Sequence, residues 1–367
     1  MILPPATLGM LGGGQLGRFF VIAARELGYR TWVLDPDALS PAGAVADRHL
    51  VAAYDDAAAL EELATGCAAV TTEFENVSAA TLVQLARSTI VHPSADAVSV
   101  CQDRVVEKTF LRDNGFATAP FAAIPGEARD DLFPGILKTA RFGYDGKGQV
   151  AVDGPADLDD ALASLGGVDA ILERKVPLDL ELSVVLARGG DGEVRSFPPS
   201  ENRHVNGILD TSIVPADIDE GLCVDAIALA EDIAIELDFV GTLAVELFLS
   251  EGRLLVNELA PRPHNSGHST LDGCATNQFE QQLRALCGLP LGDPSAHSAT
   301  VMVNLLGDVW PDDGEPNWGA LLAVPNLRLH LYGKAAPRPG RKMGHFTVVA
   351  ARREDALAAA TAARAAL

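Results

Sequence analysis

Positive charge is scarce in this sequence. Lys and Arg together number 28 against 50 Asp and Glu, and the formal net charge is -22. A protein this acidic repels nucleic-acid backbones and anionic membrane surfaces, so neither is an expected partner. Any anionic substrate must be bound by the few cations present, and clusters of Lys or Arg are therefore informative wherever they occur.

Several patterns that would define other classes of protein are also missing. The five cysteines form no CxxC pair, which argues against a disulfide framework or a structural zinc site and predicts buried free thiols. No apolar run approaches the roughly 20 residues of a transmembrane helix, and no basic segment precedes an apolar one near the N-terminus. The eight histidines include no HExxH, which disfavours a zinc hydrolase. These absences predict a cytoplasmic protein.

The first part of the chain alternates apolar runs with amphipathic stretches. The 367 residues exceed one core of ordinary size and predict two or three domains. Runs at 7–11, 31–34 and 68–72 are typical of strands, and helical spacing of apolar residues follows the first of them. Residues 1–100 are therefore predicted to form a Rossmann-like α/β domain, in which helices cover a parallel sheet.

The remaining residues predict a mixed region and then a small one. In residues 101–290, alternation from Leu180 to Leu186 predicts a half-buried strand, and two runs flanking Glu251-Gly252 predict a hairpin. This mixture indicates an α+β domain. Residues 291–367 carry three or four strand-like runs before an alanine-rich helix, and predict a small β-rich domain.

A glycine-rich turn follows the first predicted strand. Gly12–Gly17 fits GxGxxG, and Asp35 ends the next strand, where a ribose-binding acid would stand. Taken alone, this pattern suggests a site for NAD or FAD. It is equally typical of any phosphate-binding turn, or of a turn that only needs to be tight.

A second glycine-rich segment is more distinctive. Lys138 lies on a predicted strand that leads into Gly143–Gln149, a loop with three glycines and a further lysine. Such a loop can place its amide groups over triphosphate oxygens while lysines neutralise them. The GxxxxGK[ST] spacing of a P-loop is absent, and a mobile hairpin tip is the alternative.

Two acids lie among apolar residues on adjacent predicted strands. Glu246 and Glu258, with Asn257 beside the second, are suitable oxygen ligands for magnesium ions that bridge ATP phosphates. Ion pairs with Arg253 or Arg262 are the structural alternative.

The segment after these acids is rich in prolines and polar side chains. It can present Arg262 to a small oxyanion, with His264 as a second donor or a proton shuttle. A purely polar surface loop is the alternative.

Near the C-terminus, five cations lie within fifteen residues. No acid occurs from Asn326 through Ala350, which is unusual in so acidic a chain. The cluster is either a solvated turn or a phosphate-binding site, and its members are Arg328, Lys334, Arg338, Arg341 and Lys342.

Together, the motifs GGGQLGR, FGYDGKGQ and APRPHNSGH, in this order and with the terminal GRKMGH, closely resemble the 5-(carboxyamino)imidazole ribonucleotide synthases. The resemblance spans essentially the whole chain. It implies an ATP-grasp fold between the Rossmann-like domain and the small β-rich domain, the cofactors ATP and Mg²⁺, and usually a homodimer. Arg203 and Ser200 depart from the family pattern, which bears only on the assignment of His204.

Site residues also follow from the resemblance. It implies that Glu246 and Glu258 hold magnesium and that Asp145, Arg262 and His264 are catalytic. The implied ATP-binding residues are Arg104, Lys138, Gly143, Tyr144, Asp145, Gly146, Lys147, Gly148, Gln149, Glu173, Arg174, Lys175, Val176, Glu181, His204, Asn257 and Glu258. The implied substrate-binding residues are Gln15, Leu16, Glu73, Tyr144, Asp145, Arg262, Lys334, Arg341 and Lys342.

The implied reaction is the ATP- and bicarbonate-dependent carboxylation, through carboxyphosphate, of the amine of aminoimidazole ribonucleotide in purine biosynthesis. The nearest alternative is another ATP-grasp ligase, such as the formate-dependent glycinamide ribonucleotide transformylase or a D-alanine ligase. A non-catalytic nucleotide-binding regulator would need neither Glu246 nor Glu258.

Overall fold

The computed structural model describes residues 1–126, 130–143 and 146–367, and within these ranges the strands form three sheets. Tyr144 and Asp145, both predicted site residues, lie outside the described residues. No helix in the described ranges combines the length and the apolar character needed to cross a membrane.

The first sheet lies in residues 1–126 and is parallel throughout. Its five strands run in the order β3-β2-β1-β4-β5, and they are β1 (Thr7–Leu11), β2 (Arg30–Leu34), β3 (Arg48–Leu50), β4 (Ala69–Thr72) and β5 (Ile90–Val91). The associated helices are α1 (Gln15–Glu26), α2 (Ala57–Gly66), α3 (Ala79–Leu85) and α4 (Ala95–Cys101). The predicted helix-covered parallel sheet is confirmed.

Helix α5 (Arg104–Asp113) introduces a small antiparallel sheet. The Asp103 side chain accepts from the amide of Val105 at 3.0 Å and so satisfies a free donor at the start of the helix. In the described residues, four strands run in the order β6-β9-β7-β8. They are β6 (Phe121–Ile124), β7 (Gly135–Thr139), β8 (Gln149–Val152) and β9 (Ala170–Arg174), with α6 (Leu158–Ser164) packed on β8.

Residues 146–367, all of which are described, contain the third sheet of nine strands, in the order β15-β14-β10-β12-β13-β16-β18-β17 with β11 beside β10. The strands are β10 (Leu180–Arg188), β11 (Val194–Ser196), β12 (Ser200–Val205), β13 (Ile208–Val214), β14 (Gly241–Ser250), β15 (Arg253–Ala260), β16 (Ala299–Leu306), β17 (Leu327–Leu331) and β18 (Lys342–Ala350). The accompanying helices are α7 (Glu220–Glu236), α8 (Thr270–Gly273), α9 (Gln278–Cys287), α10 (Trp318–Leu322) and α11 (Arg353–Ala365).

The burial of β10 differs from the prediction. Its alternating sequence predicts a half-buried strand, but residues 182–187 are buried on both faces. The strand lies between β12 and β14, and α7 and α9 pack against it. Its polar Ser183 is therefore inside the protein, 1% exposed. The predicted hairpin through Glu251-Gly252 is confirmed, with both residues at positive φ.

The strands near the C-terminus do not form a sheet of their own. Strand β16 pairs with β13, from Thr211 opposite Val303 to Val214 opposite Thr300. The cation-rich turn between β17 and β18 is thus attached to the same sheet as the predicted magnesium ligands. The mixed α/β fold class is confirmed, while the domain boundaries at residues 100 and 290 stay predictions.

Candidate active site

A β-bulge concentrates polar side chains on one stretch of the β14–β15 hairpin. Glu246 lies opposite Glu258, but the next pair is Leu247 with Val256, so Asn257 has no partner across the ladder. A bulge of this kind redirects side chains locally. Consistent with this, Asn257 Nδ2 donates to Glu246 Oε2 at 3.1 Å, and the two acids and the amide form one cluster.

The two acids of this cluster differ in their electrostatic surroundings. Burial, followed by the charge of Glu258, raises the pKa of Glu246 to about 7. Burial also acts to raise the pKa of Glu258, but the nearby Arg104 guanidinium lowers it to about 2. Arg104 Nη1 lies 2.7 Å from Glu258 Oε2. One acid is therefore paired with a guanidinium, whereas at Glu246 the hydrogen bond from Asn257 and the charge of His204 only partly offset burial and the repulsion from Glu258.

The donor set suits a hard divalent cation. Asn257 Oδ1 is buried and has no hydrogen-bond partner among the described residues, although a buried acceptor is normally satisfied. Together with the carboxylates of Glu246 and Glu258, it offers the oxygen ligands that Mg²⁺ prefers. Within the described ranges, no three His, Cys, Asp or Glu side chains could hold a metal by themselves. The cluster therefore fits an ion that shares its coordination with phosphate oxygens or water.

Two lysines share one buried carboxylate beside this cluster. Glu173 Oε2 lies 3.1 Å from Lys138 Nζ and 3.7 Å from Lys108 Nζ. Burial opposes the charge of Glu173, but the two lysines keep its pKa below the usual range. Lys108 also donates to the carbonyl of Val256 at 3.0 Å. The Lys138 ammonium is thus held at a fixed place on β7.

The described end of the second glycine-rich loop, from Gly146 onward, lies against the turn between β12 and β13. Arg104 Nη2 donates to the carbonyl of Gly143 at 3.4 Å. Gly146 has φ +73°, and a Cβ on it would lie 3.1 Å from the Asn206 carbonyl oxygen and from Gly207 Cα. A side chain there would therefore be strained and crowded. Gly148, also at positive φ, precedes Gln149 at the start of β8, and Lys147 lies between the two glycines.

The segment from Glu173 to Val176, which the family resemblance predicts to be a hinge strand that contacts adenine, begins in β9 and continues past its end. Arg174 ends that strand, and its amide donates to the Pro120 carbonyl at 2.8 Å, while Lys175 donates to Pro134 at 2.9 Å. Both side chains are exposed, and Val176 is half-buried. Their roles in adenine binding stay predictions.

The family resemblance predicts Glu181 as the acceptor of a ribose hydroxyl and His204 as another residue near ATP, and their side chains are in contact. The imidazole Nδ1 of His204 contacts the carboxylate of Glu181, from the neighbouring strands β12 and β10. Burial acts to lower the pKa of His204, but Glu181 outweighs it and raises the pKa. Arg203, the departure from the family pattern, points away to Glu201.

The polar loop after β15 brings two further predicted residues to the cluster. His264 Nε2 lies 3.3 Å from Glu246 Oε1. Burial, and then the charges of Arg262 and Lys342, lower the pKa of His264 to about 3, so its imidazole is neutral near neutral pH. Arg262 pairs with Glu75. The structure therefore favours His264 as a fixed hydrogen-bond donor over a proton shuttle.

The N-terminal glycine-rich turn is occupied by acids of the chain itself. The Glu73 carboxylate accepts from the amides of Gly14 and Gly17 at the start of α1. Asp35 Oδ2 accepts from the amide of Gly13 at 2.6 Å. Since these donors would be needed for a pyrophosphate, the geometry argues against the NAD or FAD alternative.

The remaining predicted substrate residues surround this turn. Gln15 begins α1, whereas the Leu16 side chain is buried against Phe279 and Tyr332, which leaves only its backbone for ligand binding. Burial raises the pKa of Glu73, and the charges of Arg262 and Lys334 partly offset that effect. Lys334 Nζ donates to the Lys342 carbonyl at 2.7 Å, and Arg341 Nη1 donates to that of Ala336 at 2.9 Å.

Sequence reasoning missed several charged residues that support the site. Glu107 is 2% exposed and accepts from the amide of Leu259, the residue after Glu258. Lys108 is 1% exposed. Both follow Arg104 at helical spacing on α5 and share its buried face with Leu111, a pattern that could have indicated their position.

Comparison with known proteins identifies the family. Family models match the chain at residues 5–102 (ribonucleotide synthetase preATP-grasp domain), 109–279 (ATP-grasp domain) and 300–359 (phosphoribosylaminoimidazole carboxylase C-terminal domain). The chain is 46% identical to the N5-carboxyaminoimidazole ribonucleotide synthase of Brucella melitensis over 358 aligned residues. The alignment covers 94% of this chain and 96% of that relative. The chain belongs to the N5-carboxyaminoimidazole ribonucleotide synthase family.

Solved structures of this synthase family share the fold. An ADP complex of an N5-carboxyaminoimidazole ribonucleotide synthetase has a TM-score of 0.93 and 43% identity, covering 99% of this chain and 97% of that chain. The synthase of Aspergillus clavatus, in complex with ADP and 5-aminoimidazole ribonucleotide, has a TM-score of 0.89 and 30% identity, covering 98% of each chain. The resemblance inferred from the motifs is confirmed.

Proposed function

We propose that this protein carboxylates the amine of 5-aminoimidazole ribonucleotide with ATP and bicarbonate, giving N5-carboxyaminoimidazole ribonucleotide, ADP and phosphate in purine biosynthesis. Nearly full-length identity to synthases of this name carries the proposal. The acids Glu246 and Glu258 beside Lys138 and Arg104 supply the chemistry that such a reaction needs, since phosphoryl transfer depends on positioning and charge neutralisation.

ATP binds between the small antiparallel sheet and the β14–β15 hairpin. Lys138 and Arg104 neutralise phosphate oxygens, and the Gly143–Gln149 loop covers them. Glu246, Glu258 and Asn257 would hold Mg²⁺, which would supply positive charge to neutralise the phosphate oxygens of ATP. Glu181 accepts a ribose hydroxyl beside His204, and the segment from Glu173 to Val176 borders the adenine.

The reaction proceeds through two displacements. A bicarbonate oxygen attacks the γ-phosphorus of ATP, and ADP leaves with the electrons of the broken bond, giving carboxyphosphate. The substrate amine then bonds to the carboxyl carbon, directly or after CO₂ is released, and phosphate departs. Arg262 and the neutral His264 hold the carboxyl group by hydrogen bonds. Asp145, outside the described residues, is the proposed acceptor of the amine proton.

The ribonucleotide lies between the N-terminal turn and the β17–β18 turn. Gln15, Glu73 and Arg262 face its base and ribose, while Lys334, Arg341 and Lys342 bind its phosphate. Tyr144, also outside the described residues, stays a predicted contact. A homodimer stays a prediction as well, which sedimentation at several protein concentrations would test.

A coupled assay of ADP release tests the function. With ATP, bicarbonate and aminoimidazole ribonucleotide all present, we expect turnover and a carboxylated product that mass spectrometry detects. Omitting either co-substrate should abolish product formation. Formate with glycinamide ribonucleotide should give none, and turnover with that pair would instead support the transformylase alternative.

A further inference from the structure

A buried network of hydroxyl and amide groups lies beneath His264. Ser266 Oγ is 2.9 Å from His264 Nδ1, and Ser183 Oγ donates to Ser266 Oγ at 2.7 Å. Asn202 Nδ2 in turn donates to Ser183 Oγ at 2.9 Å. These three supporting residues are between 1% and 5% exposed, on β10, on β12 and in the loop after β15. None of them contacts a predicted ligand site directly.

The hydrogen bonds of this network run toward His264. An amide nitrogen can only donate, so Ser183 Oγ accepts from Asn202 Nδ2. Ser183 Oγ also lies 2.8 Å from Ser200 Oγ, and its own proton is directed at Ser266 Oγ. The amide oxygen of Asn202 accepts from the hydroxyl of Ser212 on β13. Ser266 must then use its own proton elsewhere, and His264 Nδ1 is the acceptor within reach.

A second donor points to the same ring nitrogen. The backbone amide of Ser266 lies 3.4 Å from His264 Nδ1, and this group too can only donate. Two donors on Nδ1 leave the single proton of a neutral imidazole on Nε2. That nitrogen is the one that lies 3.3 Å from Glu246 Oε1.

We infer that Asn202, Ser183 and Ser266 are positioning residues, which hold His264 as the Nε2-protonated tautomer and so aim its one N–H at the carboxylation site. This inference rests on the proposed role of His264 as a donor to the carboxyl group. A side chain locked in this way donates without first changing its protonation state, since the donor is already oriented before bicarbonate arrives.

Tautomer-sensitive nuclear magnetic resonance tests the inference directly. Protein labelled with ¹⁵N at its histidines, free of nucleotide and metal, is recorded near neutral pH, and the His264→Asn variant identifies the signals of His264. We expect an acceptor-type Nδ1 and a protonated Nε2 in the wild type. In Ser266→Ala, the two nitrogens should move toward the averaged shifts of exchanging tautomers.

Kinetics supply the second readout. Ser266→Ala should lower kcat by up to about tenfold, the effect of one net hydrogen bond, while the KM for ATP changes little. Thr300→Val is the matched control, because Thr300 is a buried hydroxyl beside the same serines but outside the network. It should change neither the His264 signals nor the ratio of kcat to the KM for ATP.

Three outcomes would overturn the inference: a wild-type His264 protonated at Nδ1, signals unchanged in Ser266→Ala, or equal effects of Ser266→Ala and Thr300→Val. The resonance measurement requires no substrate, so its failure leaves the proposed carboxylase function standing. Absence of carboxylase activity in a wild type with the expected tautomer would instead count against the proposed function alone.

Discussion

Two pairs of acids in this protein are used in opposite ways. Asp35 and Glu73, at the N-terminal glycine-rich turn, accept hydrogen bonds from backbone amides of the turn and of the start of α1. Glu246 and Glu258 instead face each other across a bulge, with one guanidinium and an unsatisfied amide oxygen beside them. The first pair takes hydrogen bonds from the chain itself, whereas the second leaves a charge that an external cation can neutralise.

The comparison shows how surroundings act on buried carboxylates. Burial raises the pKa of Glu73, and hydrogen bonds from the amides of Gly17 and Gly14 oppose that rise, whereas at Glu246 a neighbouring acid adds to it. The pKa of Glu246 is thereby raised to about 7. Perturbation of this kind, together with suitable geometry, marks functional sites.

The largest expected effect comes from Glu258→Gln. Removing one charge from the proposed cation site should lower Mg²⁺-dependent kcat by about 100-fold or more, because that charge matters most in the transition state. Thermal unfolding should show an intact fold. Steady-state kinetics at saturating Mg²⁺ measures the effect, and full activity in this variant would remove Glu258 from the proposed site.

The next effect concerns the cation cluster near the C-terminus. Lys342→Ala should raise the KM for aminoimidazole ribonucleotide by about ten- to hundredfold, the effect of one charge-assisted hydrogen bond. The KM for ATP should change less than about threefold, since the proposed role of Lys342 is to bind the ribonucleotide phosphate. Arg328→Ala is the control, because Arg328 belongs to the same cation cluster but is not one of the three residues proposed to bind the phosphate. If both KM values rise together, the phosphate site lies elsewhere.

A pH dependence distinguishes the two pairs further. Because the pKa of Glu246 is raised to about 7, this carboxyl group is protonated at lower pH and must lose its proton when a cation binds. Mg²⁺ affinity should therefore fall by up to about tenfold per pH unit below that pKa. Calorimetric titration at several pH values measures it. Glu246→Gln should bind more weakly and without this slope, and the same slope in the variant would exclude Glu246 as its source.

The smallest effect on catalysis is expected at Asp35, in the N-terminal glycine-rich turn. Asp35→Asn removes an acceptor that serves the amide of Gly13 and the hydroxyl of Tyr54, both at 2.6 Å. The free energy of unfolding should fall by about 1–3 kcal/mol in denaturant titrations. The KM for ATP should stay within about twofold of the wild type, as expected of a carboxylate that supports the turn. A large rise in that constant would place nucleotide at the N-terminal turn.

Local pattern predicted much of this fold. The spacing of apolar residues marked β1 and α1, and Glu251-Gly252 marked the β14–β15 turn, because these signals depend on neighbours in sequence. The burial of β10 was mispredicted, since its alternation does not reveal which elements cover its second face.

For the candidate site too, local sequence pattern predicted the individual residues but not all of their contacts. Glu246, Asn257 and Glu258 could be selected as oxygen ligands from their sequence context, and the structure brings them together. The bulge that aligns them depends on the register of the β14–β15 hairpin, and the pairing of Lys108 with Glu173 depends on contact between segments distant in sequence. Sequence spacing alone cannot encode such contacts, and motif resemblance transfers only the residues that a motif contains.

The continuity of the nine-stranded sheet restricts how this protein can be taken apart. Strand β16 covers the edge of β13, so cutting the chain between them would expose a row of unpaired backbone groups. A fragment ending near residue 290 would tend to aggregate rather than bind nucleotide as an independent unit. Chimeras that exchange the C-terminal part between relatives must therefore match the β13–β16 register as well as the residues of the turn.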